Sequence, residues 1–155
     1  MGRSDNHIVL DRVCQDNWTA FMIQARQMHA ESIHANMELS ERRLRATVTS
    51  PSVRAYLIYK GDRPIGTAAG IIWHPFFSVE MMVKDVWIFI QPQDRGMTGG
   101  RAVLSFIREL EAWAAVSGAR KVILESSTGV QTAKTEGIYN KLGYLSVGVV
   151  TVKEL

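Results

Sequence analysis

Apolar and polar residues follow one another along this chain in two rhythms, and the switches between them mark out its elements. His7-Ile8-Val9-Leu10-Asp11-Arg12-Val13 is short, apolar and partly β-branched, the composition of a first strand. Asp16 is placed to cap a helix in which Trp18, Phe21, Met22, Ala25, Met28 and His29 recur at spacings of three and four. Ser40 is placed to cap a shorter helix that turns Leu44 and Val48 inward and Arg42, Arg43 and Arg45 outward, and Ser50-Pro51 ends it.

The rhythm then changes to that of strands. Val53 to Lys60 and Ile65 to Trp73 flank the turn-forming Gly61-Asp62-Arg63-Pro64 and predict a hairpin. Ser78 to Gln91, rich in Val, Met, Trp, Ile and Phe, is broken by Lys84-Asp85 and stopped by Pro92, and predicts a long central strand open to a bulge. From Gly99 or Gly100 to Ser117 a helix buries Val103, Phe106, Ile107, Leu110, Trp113 and Ala114, and Gly118 closes it. Lys121 to Glu125 predicts a strand, residues near Gln131 to Leu142 a fourth helix ended by Gly143, and Tyr144 to Val152 one or two last strands. A meander followed by strands alternating with helices is the α/β or α+β class, a mixed sheet covered by helices. The crossover through the third helix makes the central strand and the Lys121 strand parallel neighbours.

Composition narrows the class. With 155 residues, 46% hydrophobic and 21% charged, the chain can bury one core, so a single domain over residues 1–155 is expected. The one cysteine, Cys14, forbids an internal disulfide and a multi-thiolate metal site, and no His, Cys or carboxylate spacing fits zinc, so no metal is expected. A thiol-tolerant, cytoplasmic setting follows as the expectation. The longest uncharged run, Pro64 to Val79, falls short of the ~20 apolar residues a bilayer span needs. The first residues lack the apolar core of an export signal. Eighteen Lys and Arg against 15 Asp and Glu leave a net charge of +3, which suits an anionic ligand as well as nucleic acid.

The most informative segment joins the central strand to the third helix: Gln91-Pro92-Gln93-Asp94-Arg95-Gly96-Met97-Thr98-Gly99-Gly100-Arg101. A glycine-rich loop opening a helix lets backbone N–H groups converge on an oxyanion, the helix dipole adds about half a positive charge, and Arg95 and Arg101 add whole ones. The same glycines equally make a tight strand-to-helix turn. Neither a P-loop nor a dinucleotide fingerprint fits: Arg101-Ala102 stands where a Lys-Ser/Thr pair is needed, and no G-x-G-x-x-G opens the domain.

Ile88-Phe89-Ile90-Gln91-Pro92-Gln93-Asp94-Arg95-Gly96, the loop, the helix ending Glu111-Ala112-Trp113-Ala114, Gly118-Ala119-Arg120-Lys121 and Ile138-Tyr139-Asn140-Lys141-Leu142-Gly143-Tyr144 together resemble the GNAT superfamily of N-acetyltransferases. The resemblance covers Val86 to Tyr144, and the N-terminal half follows it in element order. His29-Ala30-Glu31-Ser32 and the Arg-Gly loop are similar to a subgroup common in phage and prophage genomes. Thr98 stands in the place of the family's first loop glycine, Gly99 is an extra one, and Thr132 replaces a frequent asparagine.

The resemblance implies a mixed, mostly antiparallel sheet with a central splayed parallel pair and helices on both faces. It implies acetyl-CoA as cofactor, its pyrophosphate on Gly96, Met97, Thr98, Gly99, Gly100 and Arg101 beside Arg95, and its pantetheine paired like a strand with the backbone of Ile88, Phe89 and Ile90. Tyr139 is then the general acid for the departing thiolate. A phenol of pKa about 10 is protonated at neutral pH and can donate to a thiolate of pKa about 8.5. Glu125, at the end of the strand parallel to the central one, is the first candidate base, with Asp85 and His74 behind it. Alternation puts Glu125 on the face of Lys121 and Ile123. The acceptor would be a small-molecule or protein amine, and a homodimer is left open. Two rivals stay in view: a catalytically weak or inactive CoA-binding protein, and a phage-type protein that binds a host macromolecule. Arg42, Arg43 and Arg45 read more simply as a wet helix face than as a nucleic-acid surface, and His29 as a satisfied histidine on an apolar stripe.

Overall fold

The computed structural model describes residues 7–31, 37–76, 78–125 and 132–147, and the chain divides into two units, residues 1–125 and 126–155. The first unit is built on a five-stranded sheet in the order β1 (Ile8–Arg12), β2 (Val53–Lys60), β3 (Arg63–Trp73), β4 (Met82–Ile90) and β5 (Lys121–Ile123). Neighbours from β1 to β4 are antiparallel, whereas β5 runs parallel to β4, as the crossover through α3 (Met97–Ser117) requires.

Period-two alternation along β2 sorts its side chains onto two cores. Tyr56 and Ile58 pack against Phe106, Leu110 and Trp113 of α3. Leu57 packs against Phe21, Met22 and Ala25 of α1 (Trp18–Ala30) and Leu44 of α2 (Met37–Val48), so helices cover both faces of the sheet. Gly70 of β3 lies under α3, where a Cβ would collide with Leu110 and crowd Trp113, so the sheet and helix approach more closely there than a side chain would allow. No helix among the described residues is long and apolar enough to cross a membrane.

Several boundaries differ from expectation. Asp16 does not cap α1. The flanking residue is Asn17, whose side chain faces backwards: Cys14 N–H donates to its Oδ1 at 2.8 Å and its Nδ2 donates to Arg12 O at 2.8 Å, closing the β1–α1 turn instead. α2 starts at Met37, three residues before Ser40, and α3 at Met97, behind a Gly96 whose φ of 93° only glycine adopts cheaply. β4 starts at Met82 rather than Ser78, and β5 stops at Ile123, two residues short of Glu125. Arg45 lies 4.3 Å over the Trp18 ring, so one member of the arginine group ties α2 to α1. His29 Nδ1 donates to Ala25 O at 2.7 Å and is satisfied within its own helix.

β4 carries a bulge just after Lys84-Asp85. Ala69 pairs with Trp87 and Gly70 with Asp85, which leaves Val86 as the extra residue. It resets the strand's main-chain phase. Gln91 N–H donates to Ile65 O, so Phe89 and Trp87 also turn their peptide groups to β3 and Ile88 and Ile90 turn theirs away. Before the bulge the sense is reversed. Ile72 N–H donates to Ser52 O on the β2 side, so Ile71 and Trp73 face β4, and their partners Lys84 and Met82 spend their peptide groups on β3.

In the second unit, α4 (Thr132–Lys141) is closed by Gly143, with Tyr144 N–H on Tyr139 O at 3.0 Å and the Tyr139 and Tyr144 rings 6.2 Å apart. Residues 144–147 form no strand, and the rest of the expected last strands lies outside the described residues. So does Ser32, and nothing of the Thr132 side chain is described.

Candidate functional site

The turn after β4 is held from three directions. Asp94, 5% exposed, receives two hydrogen bonds from the Arg63 guanidinium, at 2.8 and 2.6 Å, and these bonds, more than the Arg63 charge, hold its carboxyl below the usual range. Gln91 Nε2 donates to buried Gln24 of α1 at 2.9 Å, and Gln93 Nε2 donates in turn to Gln91 Oε1. Arg95 Nε donates to Ile90 O at 3.0 Å while its Nη2 reaches Glu31 at 2.6 Å. Arg95, expected beside a phosphate, is thus a buckle between β4 and the end of α1. Its charge is already engaged.

The helix start is open. The first bond of the α3 ladder runs from Gly100 N–H to Gly96 O at 2.8 Å, so the N–H groups of Met97, Thr98 and Gly99 lie ahead of the ladder and Gly100 and Arg101 do not. This trims the expected amide set from six residues. The glycines differ as well: a Cβ on Gly99 would press on Asp94 O at 3.3 Å, whereas one on Gly96 or Gly100 would meet nothing within 4 Å. Gly99 serves packing, and the clear approach is past Gly96 and Gly100. Arg101, directed back to Met97 Sδ at 3.9 Å, is a cation in the first turns of the same helix.

Along β4 the expected backbone set divides. Phe89 spends its peptide groups on β3, which removes it as a strand-like partner for a ligand. Ile88 and Ile90 turn theirs to the β5 side, although Ile90 O is taken by Arg95. β5 pairs with β4 only from Met82 to Lys84, and no described strand continues along that edge to Ile90. Among the described residues the parallel pairing ends at Lys84 and Ile123.

At the fork the chain brings three groups together. Lys84 Nζ is 2.7 Å from Glu125 Oε1, and Glu125 N–H donates to Asp85 Oδ1 at 2.8 Å. Val122 and Leu124 pack toward α3, so Glu125 lies on the other face with Ile123. Its carboxylate is exposed and ion-paired. Asp85 is buried, 6% exposed, and its pKa is raised to about 6, chiefly by desolvation and further by Glu125, with the Glu125 N–H and Lys84 opposing. His74 lies exposed beyond the last β3–β4 pair, Trp73 with Met82, and is not drawn to the fork. Tyr139 lies in the second unit, on α4. Sequence reasoning missed Arg63, Gln24, Glu31 and Lys84, because a pairing across tens of residues leaves no local signal.

No protein-family model and no curated protein matches the chain. Solved structures do. AAC(6')-Iy, in complex with the bisubstrate analogue CoA-S-monomethyl-acetylneamine, matches with a TM-score of 0.77 over 97% of this chain and 99% of that one, at 13% identity. The aminoglycoside 6'-N-acetyltransferase AAC(6')-Ih from Acinetobacter baumannii matches at 0.69 over 96% and 99%, at 13% identity. A GNAT family acetyltransferase from Staphylococcus aureus matches at 0.65 over 96% and 98%, at 14% identity. The chain therefore has the fold of the GNAT acetyltransferases, a mostly antiparallel sheet with one parallel pair and helices on both faces. These structures lend no support to a phage-encoded subgroup.

Proposed function

We propose that residues 1–155 form one acetyl-CoA-dependent N-acetyltransferase domain that moves an acetyl group to a primary amine by direct attack in a ternary complex. The observation that supports it most is the joining of two binding features on one strand edge. Past the last β4–β5 pair the bulge phase turns the Ile88 and Ile90 peptide groups away from β3, and the ladder-free amides of Met97 to Gly99 stand at the end of the same strand. Both fit the donor set of CoA: an extended arm carrying amides, and a pyrophosphate. Acetyl-CoA supplies the thioester carbonyl that the amine attacks.

Met97, Thr98 and Gly99 hold the pyrophosphate, with Arg101 as a cation in the first turns of the same helix. Ile88 pairs with the pantetheine. Glu125 takes a proton from the acceptor ammonium, directly or through a water, so that nitrogen has a lone pair, and Tyr139 gives a proton to the sulfur as the carbon–sulfur bond breaks. The 2.7 Å ion pair with Lys84 already engages the Glu125 carboxylate, and this favours a second reading, a protein that holds CoA with little turnover. A screen of small-molecule amines, aminoglycosides first, and then peptides, with thiol detection of released CoA, separates the two. Turnover on any acceptor supports the enzyme; binding of CoA without thiol release supports the rival. On the true acceptor Tyr139→Phe should slow turnover about 10- to 1000-fold with CoA affinity nearly unchanged; wild-type turnover would remove Tyr139 from the mechanism.

A further inference from the structure

The parallel ladder between β4 and β5 stops in mid-strand. Because Lys84 and Met82 spend their peptide groups on β3, the groups that face β5 are those of Val83 and Asp85. Continuing the ladder by one step would bring Glu125 N–H to the main-chain carbonyl of Asp85. It goes instead to the side-chain Oδ1 of the same residue, at 2.8 Å. A carboxylate has been inserted where the next backbone bond belongs, and Val86, the bulge residue, follows at once. Asp85 is buried opposite Gly70, and the charged groups that face it are Glu125 and Lys84.

We infer that Asp85 is a positioning residue that holds β4 and β5 apart: by taking the Glu125 N–H on its side chain it ends the strand pairing and keeps the β4 edge at Ile88 and Ile90 open to an extended, amide-bearing ligand. This rests on the CoA reading above, in which that ligand is the pantetheine arm. The nucleotide half of CoA, bound at the start of α3, lies outside the wedge's influence. A backbone carbonyl in the same role would draw β5 into register and close the edge. Burying a carboxylate here is costly, and an apolar residue would let the ladder continue.

The test is calorimetry with two probes, CoA and its nucleotide half without pantetheine, on the wild type, Asp85→Asn, Asp85→Ser and Asp85→Ala. The Asn amide oxygen still reaches the Glu125 N–H, whereas Ser stops one bond short and Ala has no acceptor. Asp85→Ala and Asp85→Ser should bind CoA roughly 10-fold or more weakly, a loss of about the size of one hydrogen-bonded contact. They should bind the nucleotide half within about twofold of wild type, and Asp85→Asn should keep both affinities within about threefold. The proposal is overturned if Asp85→Ser, or a folded Asp85→Ala, binds CoA as the wild type does. It is overturned too if both probes weaken together, or if Asp85→Asn loses as much as Asp85→Ser. A wild type that binds the nucleotide half as tightly as CoA overturns the wedge alone; one that binds neither probe overturns the CoA reading with it.

Discussion

The two ends of the open β4 edge are built on opposite principles. At the far end, the turn from Gln91 to Gly100 is fastened by a bidentate Arg63–Asp94 pair, a chain of three glutamine amides and an arginine buckle, with acceptors and donors matched in fixed geometry. At the fork, a surface lysine–glutamate pair stands beside a buried aspartate whose charge is disfavoured. One end is fixed before any ligand arrives. The other is held by groups that titrate or are wet, and the difference teaches that affinity can be built into the loop while adjustment is left to the fork.

The contrast breaks most readily at Asp94. Arg63→Met leaves a carboxylate buried without its partner and should cost about 3 kcal/mol in denaturant unfolding, toward the low end for broken buried pairs because Arg63 itself is half exposed. A loss under about 1 kcal/mol would make the two ends alike.

Acid should act in the opposite sense at the fork. The Asp85 pKa of about 6 lies above its unfolded value near 4, so the folded state binds the extra proton in between. The penalty for its charge is present above pH ~6 and is relieved as the pH falls. Between about pH 7.5 and about pH 5 the wild type should gain roughly 1.5 kcal/mol relative to Asp85→Asn, read by thermal unfolding of both proteins. A constant difference would mean that Asp85 is not the buried acid it resembles.

Glutamate at Gly100, where a Cβ meets open space, should leave the fold intact and weaken CoA binding by about 10-fold, through repulsion and blockage at the amides. Unchanged calorimetry would remove the loop as the anion site. Lys84→Met should shift stability by less than about 1 kcal/mol, as exposed pairs do. A larger loss would sharpen the comparison the other way, with the fork as a structural lock.

Elements that obey a local rhythm were legible in the sequence. The apolar spacing of Phe106, Leu110 and Trp113 marked α3 and its buried face, and the chain's strand-helix order implied the parallel pair. Helix starts were less so, because Asp16 and Asn17 are equally good caps on paper and the Asn17 side chain is used by the turn before it. The glycine loop was visible as a loop. Which of its glycines faces space and which faces Asp94 was not, since that depends on how the turn is tied to β3 and α1 by partners 31 and 67 residues away. Alternation alone puts Glu125 on the face of Ile123, yet its pairing with Lys84 depends on the β4–β5 register, which periodicity cannot fix.

The extra residue at Val86 sets the phase of β4 through its backbone and not through its side chain. Val86 is 41% exposed, so many side chains fit there at little cost. Removing the residue would join Asp85 directly to Trp87, and alternation would then run unbroken with Trp87 and Phe89 still turned to β3 and Ile88 still turned away. A strand that kept every residue but ironed out the bulge would instead turn Ile88 to β3 and Phe89 to β5. Variants that descend from a common ancestor should therefore tolerate drift in the letter at this position for as long as the bulge itself is kept.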